Sequence, residues 1–243
     1  MSAAKLKVGA TLGAARAEFS GHGRLIFRLT LLFSVLNGAS ALLLLLGSAG
    51  WAVSIGIAVL LGAIYTGMIT ALVCLRTNEQ REAGELWEAV RPVLSRLVWV
   101  TLVALLGVLV GMSAFIVPGL ILATFWSVSA QAVMVERQPV FAALGRSFAL
   151  VRGNAWPAFG FLAIMGMISI LLLLLVLVAT APLGTGVGAQ AIASALGNFV
   201  STPLLAVASA VLYNRLAELD RAAGGPDAPE EGPGDGLPPD HRP

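Results

Sequence analysis

The chain has 243 residues, of which 58% are hydrophobic and 12% charged, and its mean hydropathy is +0.89. A soluble domain draws about a quarter of its residues from Asp, Glu, Lys and Arg, so this composition excludes an ordinary soluble globule and calls for lipid. The net charge of +2 hides a division: residues 1–221 carry 14 bases against 8 acids, whereas the segment from Ala222 onward carries five acids and one arginine.

Residues 1–28 read as a basic, amphipathic N-terminal segment with Lys5, Lys7, Arg16, Arg24 and Arg28. Charge then vanishes from Leu29 to Leu75, from Leu97 to Val135 and from Gly153 to Asn214. A spanning helix needs about 20 apolar residues, so each stretch accommodates two crossings. Each has a small-residue or Pro/Gly break near its middle, at 47–50, at Pro118-Gly119 and at 182–186. The expected fold is all-α and membrane-embedded, with spans at about 29–46, 51–75, 97–117, 119–135, 156–180 and 190–213. These form three helical hairpins, each preceded by a cytoplasmic amphipathic segment. Leu29 to Leu46 contains nine leucines. It is read as a span and not as a cleavable signal, because 28 residues precede it where a signal has a short basic lead.

All fifteen basic residues lie in four segments between hairpins or at the termini. With six crossings these segments share one side, and the rule that places positive charge inside makes that side cytoplasmic, with both termini there. The segment around 83–96 presents Leu86, Trp87, Val90, Leu94 and Leu97 on one side, after the capping pattern Thr77-Asn78-Glu79-Gln80. The clearest interfacial helix is the third. Pro139 suits its first position, Phe141, Leu144, Phe148 and Val151 recur at helical spacing, and Gly153 is expected to stop it, with Trp156 at headgroup depth. A weak alignment of residues 19–27 with 151–159 raises a threefold repeat as a hypothesis, beside ordinary amphipathic loops. From Ala222 to Pro243 the chain is Gly, Pro and acid without periodicity, a disordered tail by composition.

No Asp, Glu, Lys, Arg or His lies inside a predicted span, which argues against proton relays and carboxylate ion sites. The two histidines, His22 and His241, and the lone Cys74 have none of the usual metal-ligand spacings, and no phosphate loop is present. No metal, cofactor or nucleic-acid partner is expected. Cys74 reads as a packing residue or as a palmitoylation site at a span end. Gly107 and Gly111, and the ladder Ala189, Ala193, Gly197 and Ser201, read as close helix packing. Asn37, Tyr65, Gln131, Gln190 and Asn198 are the larger polar residues in or beside spans.

Pro118-Gly119 entering the fourth span, Glu136 leaving it, and the run Ala143-Leu144-Gly145-Arg146-Ser147 through Leu150, Gly153, Asn154 and Trp156 carry a resemblance. They resemble the membrane domain found beside some bacterial glycerophosphoryl diester phosphodiesterases, and its free-standing relatives. The six-span outline and Leu212-Tyr213-Asn214-Arg215 extend a looser similarity over residues 10–216. The resemblance implies the fold, a cytoplasmic-membrane location and the importance of Glu136, Arg146, Ser147, Arg152, Gly153, Asn154 and Trp156. In the two-part relatives catalysis belongs to a separate soluble domain, for which this chain leaves no room, so no catalysis carries over. Read from the residues alone, the same positions are a helix cap, an interfacial anchor and a Glu–Arg pair tying the interfacial helix to the bundle.

The functional expectation is a non-catalytic membrane protein that scaffolds or regulates. Its basic inner face would contact anionic lipid or a partner protein through Arg91, Arg96, Arg146 and Arg152. The alternative is a transporter or flippase for a neutral or amphipathic molecule, guided by Asn37, Gln131 and Asn198.

Overall fold

The computed structural model describes residue 6, residues 8–75 and residues 83–223. The capping pattern at 77–80, Arg76, Arg81, both lysines, and the tail from residue 224 lie outside the described residues. The described chain is helical: α1 (Val8–Ser40), α2 (Gly47–Cys74), α3 (Ala83–Val90), α4 (Leu94–Ala114), α5 (Ile116–Phe125), α6 (Ser129–Glu136), α7 (Val140–Arg152), α8 (Ala155–Thr180) and α9 (Val187–Ala222). Six helical stretches are long and apolar enough to cross a membrane: Ser20–Leu43, Gly47–Cys74, Ala83–Ala114, Ile116–Glu136, Ala155–Leu183 and Val187–Ala222. The protein is an all-α membrane protein. Helix is the outcome that lipid imposes, because each backbone N–H and C=O must find its partner within its own segment.

The element boundaries differ from the expected ones in instructive ways. The first span begins at Ser20, continuous with the amphipathic segment except for a kink at His22 (φ −110°, ψ 15°). The third span begins at Ala83, since α3 runs through a 3-10 turn at Arg91–Val93 into α4. The second hairpin turns at Phe115 (φ −160°, ψ 146°) and not at Pro118, which sits inside the first turn of α5. There the missing proline N–H would have had no helical partner in any case. Pro139 is the residue before α7 and not its first. Gly153 ends α7 in right-handed backbone (φ −73°, ψ −19°), so the stop does not use glycine's left-handed freedom. Positive φ falls instead on Arg137 (54°), at the end of α6, on Gly47 (70°), at the start of α2, and on Gly184 (83°), in the turn before α9.

The described parts of the four charged segments meet at one end of the bundle. Arg146 of α7 reaches Asp220 of α9, Arg96 of α4 donates to the Arg137 carbonyl at 2.8 Å, and the Leu6 N–H donates to Asn154 Oδ1 at 3.0 Å. The core lies in that half. In α2 the buried run is Tyr65 to Val73, and in α9 it is Ala206 to Ala217, apart from half-buried Thr66, Ser209, Asn214 and Arg215. Leu86, Val90 and Leu97 are wholly buried against it. The reason is that α3, α6 and α7 add layers only at this end. α8 and the third span are the least buried of the six, and on α8 Met167, Leu171 and Val178 are exposed, as acyl chains allow. Between helices in lipid the hydrophobic drive is weak, and close dispersion contacts take its place. Gly111 fits this account, since a Cβ there would lie 3.0 Å from the Gly119 Cα, so α4 and α5 approach backbone to backbone. Cys74 is half-buried and its thiol faces the Ala210 carbonyl at 3.6 Å, a packing use.

The interfacial helix α7 differs from its expected amphipathic reading. Ala143, Leu144, Ser147, Leu150 and Val151 are buried against the bundle, whereas Phe141 and Phe148 are exposed. The apolar residues counted as one stripe divide between the core and the exposed surface, because α7 packs against the bundle along only one of its faces.

Candidate functional site

The fourth span is interrupted at Trp126–Val128, between α5 and α6, where Trp126 (φ −100°, ψ 6°) and Val128 (φ −113°, ψ 15°) leave helical geometry. The interruption frees backbone groups at membrane depth. Ser147 of α7 takes them up: its hydroxyl donates to the Phe125 carbonyl at 2.7 Å and accepts the Val128 N–H at 3.3 Å. Phe148 stacks on Phe125 with ring centroids 4.6 Å apart. Ser127 and Ser129 hydroxyls close on the carbonyls of Thr124 and Trp126, both at 2.8 Å. α7 is therefore fastened to the fourth span where that span is broken. Ser147→Ala is expected to lower stability by about 1–3 kcal/mol, the cost of an unmet buried donor and acceptor. Thermal unfolding in detergent checks this, and an unchanged midpoint would mean that the break is satisfied elsewhere.

At the far end of α6 lies the main polar cluster. Glu136 ends α6, and the left-handed Arg137 turns the chain so that α7 comes back alongside. The Arg146 Nε donates to both Glu136 oxygens, at 3.0 and 3.2 Å, and its Nη1 donates to Asp220 at 2.8 Å. The Tyr213 hydroxyl donates to Glu136 Oε1 at 2.8 Å, and Gln138 Nε2 to Oε2 at 3.3 Å. Arg146 and Glu136 side chains are only 13% and 16% exposed. Burial alone would lower the Arg146 pKa, but hydrogen bonds to Asp220 and Glu136 outweigh it and hold the value above its ordinary one, so the guanidinium stays charged. Glu136 accepts from Arg146, Gln138 and Tyr213, which leaves it well saturated. Such a group holds elements together: here the fourth span, α7 and α9.

The residues expected at a binding face thus part company. Arg146 is consumed by the cluster, so the expectation that it offers a free cation to lipid does not fit its surroundings. Arg91, Arg96 and Arg152 are exposed at the same end, Arg96 with one donor engaged by Arg137. Trp156 is 83% exposed and edge-on to Phe159. Asn154 precedes α8 but spends its carbonyl on Leu6. Pro118 and Gly119 sit at the opposite end of the bundle, in the hairpin turn. Tyr213, Asp220 and Gln138 join the cluster without having been singled out for it, since their charge or polarity alone gave no hint of a shared partner. Among the described residues, no three His, Cys, Asp or Glu side chains stand close enough to hold a metal ion.

A second polar locus lies within the membrane region. Asn198 of α9 donates to Asn37 Oδ1 of α1 at 3.1 Å and to the Ser194 carbonyl at 2.9 Å. Gln131 is apart from them, donating to Ser209 at 2.7 Å.

Fold and cluster together define a six-span helical membrane protein whose interfacial helix is latched by a buried Glu–Arg–Asp group. Comparison of the chain with protein-family models, with curated protein sequences and with solved structures returned no match.

Proposed function

We propose that the protein is a non-catalytic component of a bacterial cytoplasmic membrane. Its charged end faces inward with both termini, and it scaffolds or regulates by gripping anionic lipid headgroups. Membership of the family that residues 118–156 resemble belongs to this proposal. The supporting observation is the pairing of exposed arginines with exposed aromatics at one end: Trp99 (62% exposed) follows Arg96 by one turn, and Trp156 follows Arg152 by four residues. Aromatic rings settle at headgroup depth and place the neighbouring cations against phosphates. The latch fixes α7, and with it Arg152, relative to the spans.

The test is mass spectrometry of lipids retained in native nanodiscs. Each arginine near the surface is worth about 1 kcal/mol toward anionic lipid, so Arg91→Gln/Arg96→Gln/Arg152→Gln is expected to reduce anionic enrichment by roughly tenfold or more. Arg146→Ala is expected to lower stability and leave lipid selection in the folded fraction alone. Equal anionic enrichment in wild type and the triple variant would end the lipid reading, and a specific co-purifying protein lost in the triple variant would replace it with a protein partner. A second reading, a transporter or flippase for a neutral or amphipathic molecule, has one observation in its favour, the meeting of Asn37 with Asn198 inside the bundle.

A further inference from the structure

Between α1, α2 and α9 lies a cavity of about 140 Å³, lined among others by Thr30, Ser34, Asn37, Tyr65, Asn198 and Thr202. Asn37 lies nine residues past Arg28, and Tyr65 nine residues before Cys74. At 1.5 Å per residue both are about 14 Å of helix from the charged end. The lining has polar capacity that the protein leaves unused. Asn198 spends both amide hydrogens, on Asn37 and Ser194. The Asn37 amide nitrogen has no partner among the described residues, and neither has the hydroxyl of Ser34, a residue only 3% exposed. Thr30 donates its single hydroxyl hydrogen to the Ile26 carbonyl at 2.7 Å, so in the 2.7 Å contact between Thr30 and Tyr65 the tyrosine is the donor. The Tyr65 oxygen keeps its lone pairs. The cavity therefore offers donors at Asn37, a donor and acceptor at Ser34 and an acceptor at Tyr65, with no acid or base among its lining residues.

We propose that this cavity binds the uncharged, hydroxyl-bearing head of a small polyol or of an amphipathic lipid. A charged group would be desolvated there without a counter-charge, and a purely apolar one would strand Ser34 and Asn37. A hydroxyl both donates and accepts, as the lining requires. The volume is close to that of a cavity known to take up a six-carbon ring, about 150 Å³, which suits a glycerol-sized group. The site is separate from the basic face, so either proposal stands if the other fails.

Gly62 supplies the test. It lines the cavity, and a Cβ built there meets no heavy atom within 4 Å, so the side chain of Gly62→Leu starts in open space and extends where the cavity lies. Gly166 on lipid-facing α8 is equally open, and Gly166→Leu is the matched control. The probes are 1,2-dioctanoylglycerol, read by native mass spectrometry of the full chain, and glycerol, read by saturation-transfer NMR and as a competitor. Wild type and Gly166→Leu are expected to bind dioctanoylglycerol saturably, and Gly62→Leu about tenfold or more weakly. Ser34→Ala keeps the volume but removes a hydroxyl, and is expected to weaken binding several-fold; it carries the test if Gly62→Leu lowers the melting midpoint. Competition by glycerol identifies a free polyol as the natural class, and binding of dioctanoylglycerol without such competition identifies a lipid head. Absence of saturable binding of either probe to folded wild type overturns the proposal. Equal binding by wild type, Gly62→Leu and Ser34→Ala does the same, and the cavity then holds only water.

Discussion

Glu136→Ala is expected to be among the most damaging single substitutions in the protein, lowering stability by about 3–5 kcal/mol, the usual cost of breaking a buried ion pair from one side. Glu136 is where α6, α7 and α9 are joined, through Arg146 and Tyr213. Its loss leaves Arg146 half-compensated by Asp220 and removes the acceptor of the Tyr213 hydroxyl. For a chain of this size the thermal midpoint in detergent should fall by roughly 6–20 °C. Glu136→Gln keeps the shape and should cost less, because a neutral amide still accepts from Tyr213. The decisive comparison is a cycle with Arg146→Ala. Residues in one network are non-additive, so the double variant should lose clearly less than the sum of the singles. Additive losses, or a loss below about 1 kcal/mol for Glu136→Ala, would show that the cluster is an exposed surface pair in effect and not a latch.

Gly119→Ala is expected to disrupt the second hairpin although it adds one methyl group. The added Cβ would press on the Met112 side chain and lie 2.8 Å from the Met112 backbone nitrogen, and backbone cannot swing aside as a side-chain tip can. α5 would have to move off α4, at a cost at or above about 3 kcal/mol, the upper end for overpacking. Gly145→Ala on α7 is the control. A Cβ there meets nothing within 4 Å, and replacing a helix-interior glycine by alanine should be neutral or stabilising by up to about 1 kcal/mol. Size-exclusion yield and melting midpoint are expected to fall for Gly119→Ala and to hold or rise for Gly145→Ala. If Gly119→Ala tracks Gly145→Ala, the close approach of α4 and α5 is not needed for folding.

Some of this was legible without coordinates. The charge-free stretches marked three hairpins because lipid tolerates so few alternatives; of the five residues expected on one side of the 83–97 segment, Leu86, Val90 and Leu97 are wholly buried, Leu94 is half-buried and Trp87 is exposed. Glycine spacing at Gly107 and Gly111 signalled close packing, and those positions do receive Trp126 and Gly119. Other features left no mark. The breaks at His22 and at Trp126–Val128 carry no proline, and the second is satisfied by a residue 19 to 22 positions away, Ser147. Phe141 and Phe148 share a helical stripe with Leu144 and Val151, but which apolar residue meets protein and which meets lipid depends on how deeply α7 sinks.

By itself the sequence determined that the chain enters a membrane as six helices and that its charges collect at one end, since both follow from one-dimensional runs and the cost of burying charge or unpaired backbone in hydrocarbon. Tertiary structure alone decided which arginine is locked and which are exposed, and that Asn37 meets Asn198 across 161 positions of chain. Those outcomes depend on the docking of distant helices, where angstroms of separation set whether a polar group finds a partner, and hydropathy and periodicity do not encode such distances.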